Sequence, residues 1–309
     1  MKLFKTSPVA IYRLALLFLL SLGTYCLTSC EKIQPDKDAH DERNNYIYTI
    51  NRLFSFSDFG ISACKGRSQG MDIFDNSLLF QAGLYKNTIY VLNLNTQEFL
   101  GSINFSVPHG ESSHMNNINC GEKFNRTDIY PLLYVSQTSD SHSCFVIRLS
   151  NDISSYDLIQ TIKYNGSKHH TDSNYDWFID LRNQFVYTYG KHDGILEDRE
   201  IVKFRLPSIE TSEVVFTDHD VIDSFILKDM SIYQGSRIIN GLLYAPVGYG
   251  NYSYPGYLKI IDLDKKSVIK DISITCGEPE SIGQYKDGAI ICGGGDNPGY
   301  FFIQFKSKV

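Results

Sequence analysis

The chain has 309 residues, of which 42% are hydrophobic and 13% aromatic, and its formal net charge is −6 at pH 7. This length and composition suffice for a large buried core within one closed repeat domain. The sequence contains no block of Lys and Arg, which argues against nucleic-acid binding because phosphate contacts require clustered basic side chains.

The first thirty residues are expected to form a targeting segment. A basic start precedes the apolar run Leu14–Leu22, which is too short to span a bilayer permanently and is typical of a signal-peptide core. The run is followed by Leu27-Thr28-Ser29-Cys30, which resembles the bacterial lipobox. The resemblance implies that residues 1–29 are removed and that Cys30 is lipidated and anchors the protein to a membrane. An ordinary cleaved signal peptide or a short anchor is the alternative.

Residues 30–45 are polar and lack an apolar pattern, so we expect a flexible tether. The acidic residues soon after Cys30 resemble the surface-export signal of Bacteroidetes lipoproteins. This resemblance implies an outer-membrane protein whose domain faces the cell surface, with the periplasmic face as the alternative.

A repeating group of short strands organises residues 46–309. Residues 70–105 contain four segments rich in β-branched and aromatic residues, separated by Asn, Asp and Gly turns. Similar groups follow, and the third strand of four of them ends in a leucine, at Leu94, Leu149, Leu206 and Leu263. These leucines recur about every 56 residues. Such a period, with about four strands in each repeat, predicts an all-β propeller around a central channel.

The strands are predicted in chain order. A lone strand occupies residues 46–57. Four repeats of four strands follow, at 71–74, 77–81, 88–94 and 98–105; at 116–120, 132–137, 144–149 and 156–164; at 177–181, 185–189, 200–206 and 211–217; and at 230–234, 241–247, 257–263 and 267–274. The last repeat has only three strands, at 281–285, 289–293 and 300–306. We therefore expect the N-terminal strand to complete the last sheet, which hides an open edge and gives five blades. Six blades are the alternative, if residues 46–65 form a partial blade.

The cysteines beyond Cys30 show no zinc-ligand spacing. Export permits a disulfide, and a pair between Cys120 and Cys144 is one possibility, but small buried thiols are the default expectation. The segment Asp218-His219-Asp220 and the pair His169-His170 are weak metal candidates, and a solvated loop is the preferred interpretation of the first. The sequence therefore predicts neither a metal nor a cofactor.

Ligands of propellers lie at the end of the channel where the innermost strands begin. Polar and aromatic residues near the predicted starts of these strands are therefore candidate ligand-binding residues. They are Gln69, His114, Asn117, His170, Asp176, Trp177, Asp229, Glu278 and Glu280. The alternative is that such side chains cap turns and satisfy buried backbone groups along the channel.

The first repeat resembles the glutaminyl cyclotransferases of bacteria and plants, which are five-bladed propellers. Ser68-Gln69-Gly70 and Gly83-Leu84-Tyr85 match the family's Thr-Gln-Gly and Gly-Leu-Tyr segments. The family's general acid–base glutamate precedes that glycine, but Leu79-Phe80-Gln81-Ala82 offers no carboxylate, and a glutamine does not transfer protons. His114, Asn117 and residues 278–280 also resemble segments of related propellers, which implies a shared fold and by itself no activity.

Two functions follow as hypotheses. The first is a non-catalytic module whose channel binds a small polar ligand, a glycan or peptide fragment, or a protein partner at the cell envelope. The second is an enzyme related to glutaminyl cyclotransferase, or another lyase or hydrolase, that uses Glu278, Glu280, Asp176 or His114.

Overall fold

The computed structural model describes residues 46–60, 68–83, 87–105, 115–137, 142–169, 175–192, 195–230, 232–295 and 298–307. The predicted signal peptide, the predicted lipidation site at Cys30 and the predicted tether lie outside the described residues. Within these ranges, no helix has the length and apolar character needed to cross a membrane.

Short antiparallel strands build five sheets from the described residues. The chain begins with β1 (Tyr46–Phe54) and a 3₁₀ helix (Phe56–Phe59). Blade 1 contains β2 (Ser68–Phe74), β3 (Leu78–Gly83), β4 (Thr88–Asn93) and β5 (Glu98–Asn104). Blade 2 contains β6 (Asn117–Cys120), β7 (Leu133–Ser136), β8 (Cys144–Leu149) and β9 (Tyr156–Tyr164). Blade 3 contains β10 (Tyr175–Asp180), β11 (Phe185–His192), β12 (Ile195–Arg205) and β14 (Asp223–Leu227). Between β12 and β14 the chain forms β13 (Glu213–Phe216), which belongs to the sheet of blade 2. Blade 4 contains β15 (Arg237–Ile239), β16 (Leu242–Val247), β17 (Tyr257–Asp262) and β18 (Ser267–Ser273). Blade 5 contains β19 (Glu278–Tyr285), β20 (Gly288–Gly294) and β21 (Gly299–Ser307).

The five sheets form a propeller whose innermost strands meet around one axis. These strands are β2, β6, β10, β15 and β19, and each contacts the innermost strand of the next blade, so the ring is complete. The predicted five-bladed, all-β architecture is confirmed.

The first strand closes the ring, as predicted. β1 pairs antiparallel with β21, from Tyr46 opposite Ser307 to Phe54 opposite Tyr300. The outer edge of β21 is therefore covered by the chain's own N-terminal strand, which removes a template for intermolecular pairing.

The sequence predicted residues 211–217 as the outer strand of blade 3, and this prediction is wrong. β13 pairs in parallel with β9 of blade 2, and β14 takes its place beside β12. The cause lies in Gln160, whose side-chain amide donates to the carbonyl oxygens of Ser208 and Thr211 and so holds this segment against blade 2.

The predicted innermost strand of blade 4 is also misplaced, since β15 begins at Arg237 rather than near residue 230. Asp229 and Ile232 have φ angles of +57° and +54°, which extended backbone does not permit. Within this segment, Tyr233 forms an isolated bridge to Val247. Met230 is fully buried, so its apolar character reflects packing between blades and not a strand.

The core consists of apolar layers between neighbouring blades. One such layer joins blades 2 and 3 and contains Trp177, Phe204 and Phe216, with the two phenylalanine rings stacked at 4.5 Å. Cys120, Cys144, Cys276 and Cys292 are buried free thiols, so the possible pair between Cys120 and Cys144 is not formed.

Candidate functional site

The innermost strands approach one another so closely that glycine is required at two positions. A Cβ atom on Gly70 would lie 2.6 Å from the backbone of Asn117. A Cβ atom on Gly235 would lie 2.5 Å from the carbonyl oxygen of Asn116. Backbone atoms therefore fill the axis at this level, and we call the end of the axis where the innermost strands begin the mouth.

Below the mouth, an asparagine amide joins three blades. Asn117 Nδ2 donates to the carbonyl oxygens of Trp177 (2.9 Å) and Ser236 (3.0 Å), which belong to the polypeptide of blades 3 and 4. Asn119 also donates to Ser236, and its Oδ1 accepts the N–H of Ile179 at 2.9 Å. Asn117 therefore satisfies buried backbone groups, which is the structural role that the sequence left open for residues at these positions.

Two glutamates of β19 lie at the mouth beside glutamine amides. Glu280 Oε2 accepts from Gln69 Nε2 at 3.2 Å, and Glu278 Oε1 accepts from Gln234 Nε2 at 3.2 Å. Burial raises the pKa of Glu280 well above its usual range, and the charge of Glu278 raises it further. Burial also raises the pKa of Glu278, against the hydrogen bond from Gln234. Gly294 makes room for the Glu280 carboxyl, because a Cβ atom there would lie 2.6 Å from Oε1.

A third carboxyl, Asp176 on β10, occupies the blade 3 side of the mouth. Its Oδ2 accepts from Asn116 Nδ2 at 3.0 Å, and its Oδ1 accepts from Ser136 Oγ at 2.8 Å. Burial raises the pKa of Asp176 to about 7, and both hydrogen bonds oppose the rise. Asn116 connects Asp176 to the strand that carries Glu280. The carbonyl oxygen of Asn116 lies beside Gly235, and the Gly235 N–H donates to the Glu280 carbonyl oxygen at 2.8 Å.

Two tyrosines lie near Asp176 and an arginine packs on one of them, and no pattern in the sequence pointed to these three residues. Tyr189 pairs with Asp176 across the sheet and packs edge-on against Tyr233, with ring centroids 4.5 Å apart. The guanidinium carbon of Arg199 lies 5.0 Å from the Tyr233 ring centroid. Burial raises the pKa of both phenols, and the nearby Asp176 raises it further. Tyr189 and Arg199 lie on β11 and β12, away from the strand starts that the sequence pointed to.

A tyrosine-rich turn lies at the rim of the mouth. It joins β16 to β17 and is held by bonds from the Tyr249 and Asn251 N–H groups to the Tyr254 carbonyl oxygen. Gly250 packs against Gly277 and Glu278, where a Cβ atom would overlap the Gly277 carbonyl. Tyr249, Tyr252 and Tyr254 are exposed, so this turn presents aromatic rings beside Glu278.

Two other predicted site residues, Trp177 and Asp229, do not join this group. The Trp177 side chain points to the core between blades 2 and 3 and donates from Nε1 to the His142 carbonyl oxygen. Asp229 is exposed in the segment before β15. His114 and His170 lie outside the described residues. Gln81 is buried, and its amide donates to the carbonyl oxygens of Gln69, Gly70 and Ala82.

Histidines and carboxylates elsewhere form hydrogen-bonded groups. His169 Nδ1 lies 2.6 Å from Glu200 Oε1, and His192 Nδ1 lies 3.7 Å from Glu200 Oε2. Asp218 accepts from the Tyr164 hydroxyl and from the backbone of Ser167. In the part of the chain that the structure describes, no group of three or more His, Cys, Asp or Glu side chains has the arrangement of a metal site.

Three solved structures are similar to this chain over most of its length. An aldose sugar dehydrogenase from Streptomyces coelicolor, in its PQQ-bound form, matches 84% of this chain and 98% of its own, with 10% identity and a TM-score of 0.50. A luciferin-regenerating enzyme matches 83% of this chain and 95% of its own, with 9% identity and a TM-score of 0.47. The WD40 β-propeller domain of Doa1 matches 76% of this chain and 62% of its own, with 13% identity and a TM-score of 0.40. At these identities the likeness concerns the fold alone. No protein-family model and no curated protein sequence matches this chain.

Proposed function

We propose that this protein is an outer-membrane lipoprotein whose propeller binds, without catalysis, a small ligand with a basic amino group at the mouth. Peptide fragments and amino sugars belong to this class. The lipobox-like residues 27–30 and the acidic tether support the anchored, surface-exposed location. The mouth supports the choice of ligand.

The observation that carries the proposal is the set of three carboxyl groups at the mouth that lack a cationic partner. Asp176, Glu278 and Glu280 each have a raised pKa because burial disfavours their charged forms. Among the described residues none of them forms an ion pair; their hydrogen-bond partners are amides and one hydroxyl. An ammonium group beside one of these carboxyls would favour its ionised form and gain charge-assisted hydrogen bonds.

The tyrosine rim suits the same ligand. Aromatic faces attract cations through the negative charge of their π-systems, by about 0.5–1 kcal/mol at exposed sites. Tyr249 and Tyr254 are partly exposed next to Glu278, so a cationic ligand meets a ring and a carboxyl together.

A binding role without catalysis is supported by the first blade. The positions that resemble the glutaminyl cyclotransferase motif carry Phe80, which packs against Tyr130, and Gln81, whose amide is occupied by backbone carbonyl groups. Neither side chain transfers a proton.

A second candidate function is an acid–base enzyme, and one observation favours it. Asp176 has a pKa of about 7, which suits proton transfer near neutral pH. Its carboxyl would accept or donate the proton, with Glu280 as the partner acid.

Calorimetric titration of the full-length protein tests the binding proposal. The probes are glucosamine and trialanine, each compared with its N-acetylated form, which has the same shape but no charge on the nitrogen. We expect only the amine forms to bind, with a change in protonation that makes the measured heat depend on the ionisation enthalpy of the buffer. Glu280→Gln and Asp176→Asn should each weaken binding about tenfold or more, as loss of a charged hydrogen bond does.

Asp75→Asn is the control, because this exposed turn residue lies at the opposite end of β2 from Gln69. Equal binding of the acetylated probes, or no binding of any probe, would contradict the proposal. Ammonia release from glutaminyl peptides that is abolished by Glu280→Gln would instead establish the enzymatic function.

A further inference from the structure

A second polar site lies at the far end of the axis, where the innermost strands end. Its central residue is Arg237, on β15. Arg237 Nη1 lies 2.9 Å from Asp72 Oδ2, and Asp72 is fully buried on β2. The same carboxylate accepts the backbone N–H of Cys120 at 2.6 Å and that of Ile73 at 2.8 Å. Asp72 therefore ties together blades 1, 2 and 4 and fixes the position of the guanidinium.

The guanidinium of Arg237 has donors to spare. An arginine carries five N–H donors, and Asp72 is the carboxylate that contacts this one. Arg237 Nε and Nη1 are both buried; Nη1 faces Asp72, and neither atom has a hydrogen bond of good geometry among the described residues. The side chain is 16% exposed, and the part of the guanidinium that reaches solvent is Nη2.

That part lines a cavity of about 220 Å³. The walls come from three blades and include Asp180, Arg182, Arg237, Asn240 and Gln284, with Ile179 as an apolar wall. A cavity of this size suits a small organic molecule rather than a polymer.

A second guanidinium, that of Arg182, lies in the wall of this cavity. Arg182 is exposed and forms no ion pair or hydrogen bond through its side chain within the described ranges. Its turn is ordered, because Asp180 accepts from the Asn183 N–H at 3.1 Å and from Asn183 Nδ2 at 2.8 Å. Each of the two Asp180 oxygens therefore accepts one hydrogen bond from Asn183. Asp180 is the one acidic residue in the wall of this cavity.

We propose that this far-end cavity binds the carboxylate group of a small organic acid between Arg182 and Arg237. The exposed guanidinium of Arg182 offers a planar pair of N–H donors that matches the two oxygens of a carboxylate, and Arg237 adds a donor from Nη2. The amides of Asn240 and Gln284 supply further donors at the wall.

This site is independent of the mouth. The backbone contacts at Gly70 and Gly235 and the amides of Asn117 and Asn119 fill the axis between the two ends. A ligand at one end therefore does not touch residues at the other, and failure of either proposal leaves the other intact.

The test is saturation-transfer NMR on the full-length protein at low ionic strength, with butyrate, butyramide and inorganic phosphate as probes. Butyramide has the shape of butyrate without its charge. We expect butyrate to bind and butyramide not to bind. Arg182→Gln should raise the dissociation constant for butyrate about tenfold or more. Low ionic strength matters because Arg182 is exposed and its interactions are screened by salt.

Arg126→Gln is the matched control, since Arg126 is an exposed arginine that does not line the cavity. Arg237→Lys is a second variant that keeps a positive charge facing Asp72 but removes the Nη2 donor, and it should also weaken butyrate binding. Equal binding of butyrate and butyramide, tighter binding of phosphate than of butyrate, no binding of butyrate, or an unchanged constant in Arg182→Gln would each overturn the proposal.

Discussion

Replacing Asp176 with asparagine should remove a large part of the pH dependence of stability. The carboxyl has a pKa of about 7 in the folded protein, against an ordinary value of 3.8. Between these values the folded state holds a proton that the unfolded state has released, so the free energy of unfolding falls as the pH rises. The contribution of the neutral carboxyl is complete below pH 3.8 and is lost as the pH rises through 7.

The size of the effect follows from the shift. Three pKa units correspond to about 4 kcal/mol in total, of which about 2.5 kcal/mol falls between pH 5 and pH 8. An asparagine is neutral throughout, and its side-chain oxygen can still accept from Ser136 Oγ. The variant should therefore be about as stable as the wild type at pH 5 and gain about 2.5 kcal/mol over it by pH 8.

Urea unfolding at pH 5, 6, 7 and 8 measures this difference. Fluorescence of Trp177, the single tryptophan, and far-UV circular dichroism are the two probes. Asp75→Asn serves as the exposed control and should follow the wild type at every pH. If the wild type and Asp176→Asn lose stability in parallel from pH 5 to pH 8, Asp176 is not the group that holds the proton, and the electrostatic description of the mouth is wrong.

Three other predictions concern the fold. Gly70→Ala should destabilise the protein by about 3 kcal/mol, because the new Cβ atom meets backbone of β6; a melting temperature equal to the wild-type value would contradict the close approach. Deletion of residues 46–57 should abolish cooperative thermal unfolding, measured by calorimetry, and promote aggregation through the uncovered edge of β21, measured by size-exclusion chromatography. A truncated protein that stays soluble and melts cooperatively would refute closure by β1. Cys144 and Cys276 should resist thiol labelling at pH 8 until the protein unfolds, because burial raises the pKa of both thiols, and that of Cys276 to about 12. Rapid labelling of these two thiols in the native protein, mapped by mass spectrometry, would contradict their burial.

The fold was predictable because each blade repeats a local signal. Turn residues and β-branched runs mark individual strands, and the recurring leucines set the length of a blade. The pairing of β13 with blade 2 was not predictable, because it depends on the reach of the Gln160 amide to a segment 48 residues further along the chain. The start of β15 was missed because Met230 is apolar for a reason unrelated to strand formation.

Part of the mouth was predictable for a topological reason. The starts of innermost strands must meet at one end of the axis, which brings Gln69, Asp176, Glu278 and Glu280 into one region. Trp177 follows Asp176 directly, and neighbouring residues of a strand point to opposite faces, so the tryptophan enters the core. Arg199 and Tyr233 were missed because their places depend on packing between blades 3 and 4, which has no periodic signal in the sequence.

The pairing of β1 with β21 sets an order of events for biosynthesis. The strand that leaves the ribosome first within the described region waits for a partner about 260 residues later, so the ring cannot shut until nearly the whole polypeptide has been made. Before β1 pairs with β21, chaperones that bind exposed strand edges would recognise the chain. A copy that lacks its last strand would remain open and would be degraded by proteases.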